Sequence, residues 1–409
     1  MNRGADALPG RRRILFVINT MGLGGAEAAL IELLKRLDPA AFDVSLYVML
    51  GQGELIGRVP PHVKRLNRRF DARSVLSAQG RRALRRHALG LVLRRGALLR
   101  NAPCIARSLR AMRRAGRVQP DKLLWRAISD GTPERAEVYD VAVAWLEGAA
   151  TYYVGERVRA GKKVAFVHVD YGLSGYTGMQ DRNVYRLFDQ ICCVSAETRD
   201  AFLRVHPDAA RKTEVFHNII PREAIRLRAG EPGGFDDGWR GVRIVTLARL
   251  TPQKAVEVSV AAMALLRDAG VEARWYVFGE GEERARLEAD IRRRGLEDRF
   301  FLPGALENPY PWLAQADIYA HCTRYEGRSI ALQEAQALGR AIVASDCSGN
   351  RESVADGVDG LLTPLSPEAI SAAIRRLIDD PALRRRLGLA AAGRVWPDGA
   401  EEFQSYFGK

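Results

Sequence analysis

Short apolar runs alternate with amphipathic stretches and Gly-containing turns along most of this 409-residue chain. In the first half, Arg13–Ile18, Phe42–Val48, Tyr139–Leu146, Lys163–Tyr171 and Gln190–Ser195 read as strands, and Ala26–Leu37 and Ala196–Leu203 as helices. Runs this uniformly apolar suit parallel strands covered on both faces. After Gly230-Glu231-Pro232-Gly233-Gly234, which has linker composition, the pattern starts afresh. Val242–Leu247, Ala273–Phe278, Phe300–Leu302 and Ala341–Ser345 read as strands, with helices at Ala255–Leu266 and Glu282–Arg294. Trp312–Cys322 reads as a short helix running into a strand, and Tyr325–Ala335 as a loop opening a helix that stops at Gly339. The fold class is α/β, with two parallel-sheet units in succession. The predicted boundaries are a disordered 1–10, a first unit over 11–222, a linker over 223–240 and a second unit over 241–385. A helical segment over 386–409 is expected to cross back to the first unit.

Charge changes this picture in one place. The chain carries a net charge of +14, and roughly 18 Lys or Arg against a single acid, Asp71, fall between Arg58 and Arg117. Residues 75–117 within it read as basic helices, with apolar residues at helical spacing and arginines between them. A local excess of this kind implies an anionic partner. A phospholipid surface or a lipid-phosphate acceptor fits segment 58–117; a solvated basic face with no partner is the alternative. Nucleic acid is not expected, because no finger, helix-turn-helix signature or aromatic platform accompanies the charge. No apolar run reaches transmembrane length and Ile14–Ile18 is too short for a signal-peptide core, so a cytoplasmic protein is expected, peripheral on the inner face of the membrane. The five cysteines have no C-x-x-C spacing and the chain has no D-x-D pair. No metal and no cofactor are expected.

The candidate chemistry sits at predicted carboxyl ends of strands, where open α/β sheets bind ligands. Glu326 lies in the loop after one such strand and Glu334 in the helix that follows. The first turn of that helix, from Arg328 through Ser329 and Ile330 to Ala331, offers unpaired N–H groups to an anion. A phosphate flanked by two hydroxyl-bearing rings, as in a nucleotide-sugar, would suit this segment. Two glutamates at this spacing are common on helices, so the pair alone means little. His168, at another strand end, would by itself more often be structural. Gly24-Gly25-Ala26-Glu27 follows the first strand; it fails the dinucleotide pattern because Glu27 stands where a small residue is needed.

Taken together, these residues resemble the family-4 retaining glycosyltransferases of the GT-B fold, two Rossmann-like parallel-sheet domains facing across a cleft. The resemblance rests on Gly24-Gly25-Ala26-Glu27, His168, Arg249 with Lys254, Gly279-Glu280-Gly281, and Glu326 with Glu334, in that order along residues 11–385. Phe166-Val167-His168-Val169-Asp170-Tyr171 is similar to a subgroup that includes enzymes of surface-polysaccharide assembly. The resemblance implies an acceptor domain followed by a nucleotide-sugar donor domain. It implies that Arg249 and Lys254 hold the donor diphosphate and stabilise its growing charge, that Glu326 accepts from sugar hydroxyls and Glu334 from the ribose. His168 would contact the donor sugar; Gly279, Gly281, Arg328, Ser329 and Ile330 would line the donor site; Gly24, Gly25 and Glu27 would form an acceptor or phosphate loop. Leaving phosphate would help deprotonate the acceptor, so no glycosidase-type carboxylate pair is assigned. Three departures from the family pattern are Ala255 where glycine is usual after the lysine, Arg328-Ser329 after Glu326-Gly327, and Arg340-Ala341 where proline is usual.

The reading is a retaining hexosyltransferase acting from a nucleotide diphosphate sugar, UDP-linked by expectation, onto a polysaccharide or lipid-linked saccharide. A nucleotide-sugar 2-epimerase and a non-catalytic nucleotide-sugar-binding protein are the alternatives. The first would turn over UDP-sugar without an acceptor. The second would be indifferent to Glu326→Ala.

Overall fold

The computed structural model describes residues 10–114, 116, 118–174, 178–181, 183–397, 399, 402 and 403. Residues 1–9, most of the stretch expected to be disordered, lie outside them. The chain divides into two compact units, residues 1–219 with 398–409, and residues 220–397.

The first unit is built on seven parallel strands: β1 (Arg12–Ile18), β2 (Phe42–Val48), β3 (Lys64–Arg65), β4 (Val138–Ala144), β5 (Arg159–Val167), β6 (Gln190–Cys193) and β7 (Thr213–Val215). Their order is β3-β2-β1-β4-β5-β6-β7. Ile14 through Ile18 are completely buried, as expected for a strand covered on both faces. The second unit has six parallel strands: β8 (Val242–Leu247), β9 (Ala273–Phe278), β10 (Phe300–Gly304), β11 (Ile318–His321), β12 (Ala341–Ser345) and β13 (Leu361–Thr363), in the order β10-β9-β8-β11-β12-β13. Side chains alternate between its two faces. Ile244, Trp275, Val277 and Ile318 pack into one core, and Val245, Tyr276, Phe278 and Tyr319 into the other.

Both sheets are doubly wound. The strand order grows outward from the first strand in one direction, then jumps to its other side at the fourth. Loops leaving those two adjacent strands run to opposite faces and open a crevice at their carboxyl ends. In the first unit that place lies between β1 and β4; in the second, between β8 and β11.

Between β3 and β4 the chain inserts helices Ala78–Leu93, Ala97–Arg114 and Pro120–Gly131. The first two are separated by a kink at Arg94–Gly96, where Arg95 has φ +53. Leu91, Val92, Ala97, Cys104 and Met112 face inward. Arg82, Arg85, Arg86, Arg107 and Arg110 are exposed, and so are Leu89, Leu93 and Leu99.

Two segments differ from expectation. The predicted linker 223–240 begins instead inside a helix, Arg222–Ala229, which belongs to the second unit. Its Ile225 is buried and its Arg226 donates to Ala337 O at 3.1 Å; glycine and proline dominate only after Gly230. At the other end, the last long helix is Pro381–Gly393 and residues 394–397 are irregular. Of the residues that follow, Phe403 packs between Phe16 and Phe216, and Glu402 accepts from His217 N at 3.0 Å.

Candidate active site

In the second unit, two loops leave the strands that flank the strand-order jump. The loop after β8 carries Arg249 and Lys254, and the loop after β11 carries Glu326. Backbone and side-chain bonds stitch the loops together. Arg324 N donates to Gln253 O at 2.9 Å, Gln253 Nε2 to Tyr325 O at 2.9 Å, and Thr323 Oγ1 to Gln253 O at 3.1 Å. This brings the Lys254 ammonium onto the Glu326 carboxylate as an ion pair, across 72 residues of sequence. His321 Nε2 lies 3.5 Å from the same carboxylate oxygen, and the Tyr319 hydroxyl lies 3.2 Å from His321 Nδ1. Enclosure of the Glu326 carboxyl pushes its pKa up, but the Lys254 charge, then His321, outweigh it and leave a value of about 2. Burial, reinforced by Lys254, holds the His321 imidazole below its ordinary pKa despite Glu326. The result is a fixed anion, a neutral imidazole and a cation at one edge of the crevice.

Arg249 is exposed, and its side chain has no ion-pair or hydrogen-bond partner among the described residues. Its loop lies against the turn after β9. Leu250 N donates to Glu280 O at 2.9 Å, and a Cβ on Gly279 or Gly281 would come within 1.8 Å of Ala248 O or 2.1 Å of Leu250 O. These two glycines let the cation-bearing loop seat on the sheet edge. Gly349 does the same beneath Gly327, whose carbonyl a Cβ there would meet at 2.1 Å.

Glu334 sits in helix Ile330–Ala337, which is capped by the Ser329 hydroxyl accepting from Leu332 N. Its carboxylate accepts from the Tyr310 hydroxyl at 2.8 Å. Here enclosure wins. The pKa rises to about 7, with Tyr310 and then Arg228 pulling the other way. Ile330 opens the helix. Arg328 is buried, and its guanidinium lies 4.4 Å from the Trp396 ring.

In the first unit, Gly24 precedes helix Gly25–Arg36, and Glu27 lies in its first turn with Oε1 3.5 Å from the Thr20 hydroxyl. His168 follows β5, two strands from the Gly-rich loop. Both its ring nitrogens are enclosed with no hydrogen-bond partner among the described residues, and burial drives its pKa down to about 3, so the ring is neutral. Its ring lies 5.2 Å from that of Trp145, whose indole N–H donates to Ala26 O at 2.7 Å. Among the described residues no cluster of three or more His, Cys, Asp or Glu could hold a metal ion, and no helix is long and apolar enough to cross a membrane.

Sequence reasoning missed four residues: Tyr310, His321, Trp145 and Glu147. Trp145-Leu146-Glu147-Gly148 ends a strand before a glycine, the signal that singled out His168, and could have been read the same way. His321 ends β11 and carried the same strand-end signal as His168; Tyr310 carries no local signal, and only packing brings it to Glu334.

Residues 241–380 match the family described as glycosyl transferases group 1. Over 193 residues, 46% of its length, the chain is 31% identical to the alpha-D-kanosaminyltransferase of Streptomyces kanamyceticus, covering 49% of that protein. Over 177 residues it is 29% identical to the N-acetylgalactosamine-N,N'-diacetylbacillosaminyl-diphospho-undecaprenol 4-alpha-N-acetylgalactosaminyltransferase of Campylobacter jejuni, covering 43% of this chain and 47% of that one. The chain therefore spans about half the length of these curated relatives. The Anabaena protein Alr3699/HepE, crystallised with UDP and glucose, matches 98% of this chain over 100% of its own, with a TM-score of 0.65 at 18% identity. The fold is GT-B. The stretch that matches the group 1 glycosyl transferases lies within the second unit.

Proposed function

We propose that the protein is a retaining glycosyltransferase that moves a hexose from a nucleotide diphosphate sugar, UDP-linked, onto a polysaccharide or lipid-linked saccharide. The observation that carries this reading is the Lys254–Glu326 pair, held across the β8–β11 jump by the stitching of two loops. It sets a cation and an ionised acceptor side by side. Lys254, joined by the exposed Arg249, would neutralise the diphosphate as it leaves, where charge grows in the transition state. Glu326 would accept from hydroxyls of the transferred sugar, and Glu334 from those of the ribose. Gly279, Gly281, Ser329 and Ile330 would shape the donor site by backbone. His168 would contact the transferred sugar, and Gly24, Gly25 and Glu27 would serve an acceptor or phosphate. UDP in a neighbour of the same fold and an undecaprenol-linked acceptor in the name of one relative support the choice of donor and acceptor class. No metal or cofactor enters the proposal.

We assign an anionic membrane surface to the basic helices of segment 58–117 on the same footing of charge. A peripheral site on the inner face of the cytoplasmic membrane would bring a lipid-linked acceptor within reach.

A thermal-shift screen of UDP-, GDP- and ADP-sugars tests the donor. A ligand at 100 times its Kd stabilises a fold by about 2.7 kcal/mol. UDP-sugars should raise the melting temperature most, and Glu326→Ala should abolish turnover while keeping the fold. Stabilisation by GDP-sugars alone would overturn the choice of base, and unchanged turnover in Glu326→Ala would overturn the assignment of this site.

A further inference from the structure

The first unit contains a buried carboxylate that the proposed chemistry does not use. Glu147 lies just beyond the end of β4, between β1 and β5 in the sheet order, and is only 3% exposed. One oxygen, Oε1, accepts from two consecutive backbone amides, His168 N at 2.6 Å and Val169 N at 3.1 Å. The main chain of Glu147 is itself pinned. Its carbonyl accepts from Asn19 Nδ2 at 2.9 Å, and Asn19 Oδ1 accepts from Ala150 N at 3.0 Å. The ends of three neighbouring strands are thus tied by two side chains, Asn19 after β1 reaching the main chain of Glu147 after β4, and Glu147 reaching the amides of His168 and Val169 after β5. Burial raises the pKa of this carboxyl, while its backbone hydrogen bonds oppose the shift.

An enclosed carboxylate is costly, and an apolar residue would serve the core better. What it supplies is placement. An oxygen that accepts from two adjacent enclosed N–H groups fixes the backbone at residues 168 and 169. The side chain needs such help, since neither His168 ring nitrogen has a hydrogen-bond partner among the described residues. Its backbone and the flanking rings of Trp145 and Phe166 help set where it points.

We propose that Glu147 is the positioning residue for His168, fixing the loop after β5 so that the imidazole is presented ready-placed. This rests on the reading that His168 contacts the transferred sugar. Misplacement of a reacting group by about 1 Å can cost on the order of 100-fold in rate.

The test compares Glu147→Ala, Glu147→Gln, His168→Ala and the Glu147→Ala/His168→Ala double variant. Each is assayed in the full chain for nucleoside diphosphate release from the donor that the thermal-shift screen selects. Hydrogen exchange at the 168 and 169 amides is followed alongside. Glu147→Ala should slow turnover about 100-fold with donor KM within about threefold, and the double variant should be no slower than His168→Ala. A residue that merely stabilises the fold would give losses that multiply in the double variant; that result overturns the proposal, as does a Glu147→Ala rate within about threefold of the parent. Glu147→Gln keeps an oxygen for both amides, so it should restore most of the rate and leave exchange at 168 and 169 protected. If Glu147→Ala does not fold, this variant decides alone, and a tenfold rise in exchange there would overturn the proposal. Full activity of His168→Ala would remove the underlying reading of His168, a result distinct from failure of the Glu147 link.

Discussion

Two glutamates eight positions apart have opposite electrostatic fates. Glu326 meets a lysine and a histidine, and its pKa falls to about 2; Glu334 meets a tyrosine hydroxyl in an enclosed place, and its pKa rises to about 7. The consequences for stability have opposite signs. Glu326, depressed, contributes stability above its ordinary value of 4.5 that is lost as pH falls towards 2. Glu334, raised, favours the fold below 4.5, and that contribution is lost as pH rises through 7. On the proposed function, Glu334 would accept from ribose hydroxyls as an ionised carboxylate. Donor KM should therefore climb as pH drops below about 7, with kcat less affected. Tyr310→Phe removes the hydrogen bond that pulls this pKa down, so the limb should move to higher pH; KM measured from pH 5.5 to 8.5 checks both. An unmoved limb in Tyr310→Phe would assign the titration to another group.

At the scale of elements, the loops that carry the cations are set by backbone fit. Ala255 joins the Pro252–Lys254 turn to helix Val256–Asp268 with φ +45 and ψ +36, a left-handed conformation costing roughly 1–2 kcal/mol for a residue with a Cβ. This gives a physical reason for the glycine usual at this place. Ala255→Val should destabilise by about 2 kcal/mol or more, since β-branching makes that conformation worse and the site is fully buried. Gly279→Ala would set a methyl 1.8 Å from Ala248 O and should displace the Arg249 loop, weakening donor binding more than it lowers the melting temperature. Thermal unfolding and donor titration on the two variants separate these outcomes. Element identity was largely legible beforehand, because a parallel strand covered on both faces is written locally as an apolar run; Val242–Leu247, Ala273–Phe278 and Ala341–Ser345 coincide with β8, β9 and β12. Helix Arg222–Ala229 was hidden because its single buried apolar residue, Ile225, is too little periodicity to separate it from the glycine-rich stretch behind it.

For the whole molecule, each unit repeats one topology, and the basic excess is confined to the first. From Ala72 to Pro120 the sequence holds no acidic residue. The helices there show water an arginine face interrupted by Leu89, Leu93 and Leu99 on either side of the kink. Arginines near an anionic surface contribute about 1 kcal/mol each, within a Debye length. The full chain should float with vesicles containing phosphatidylglycerol, not with phosphatidylcholine alone, and release should follow added salt. Replacing Leu89, Leu93 and Leu99 with serine should leave the salt-sensitive part and lower the affinity that remains. Indifference to lipid charge would remove the membrane from the account.

The sequence by itself determined that there are two successive parallel-sheet units, where most strands and helices fall, and that Arg249, Lys254, His168, Glu326 and Glu334 stand at strand ends or just beyond. All of these follow from local apolar periodicity and turn chemistry. Only the tertiary structure decided which strand ends are neighbours. Strand order brings β8 beside β11, so that Lys254 meets Glu326, and β4 beside β1 and β5, so that Glu147 reaches His168. It also turned Arg328 onto Trp396 and split the two carboxyl pKa values, because burial and the identity of a partner many residues away belong to packing and leave no mark on neighbouring positions in the chain.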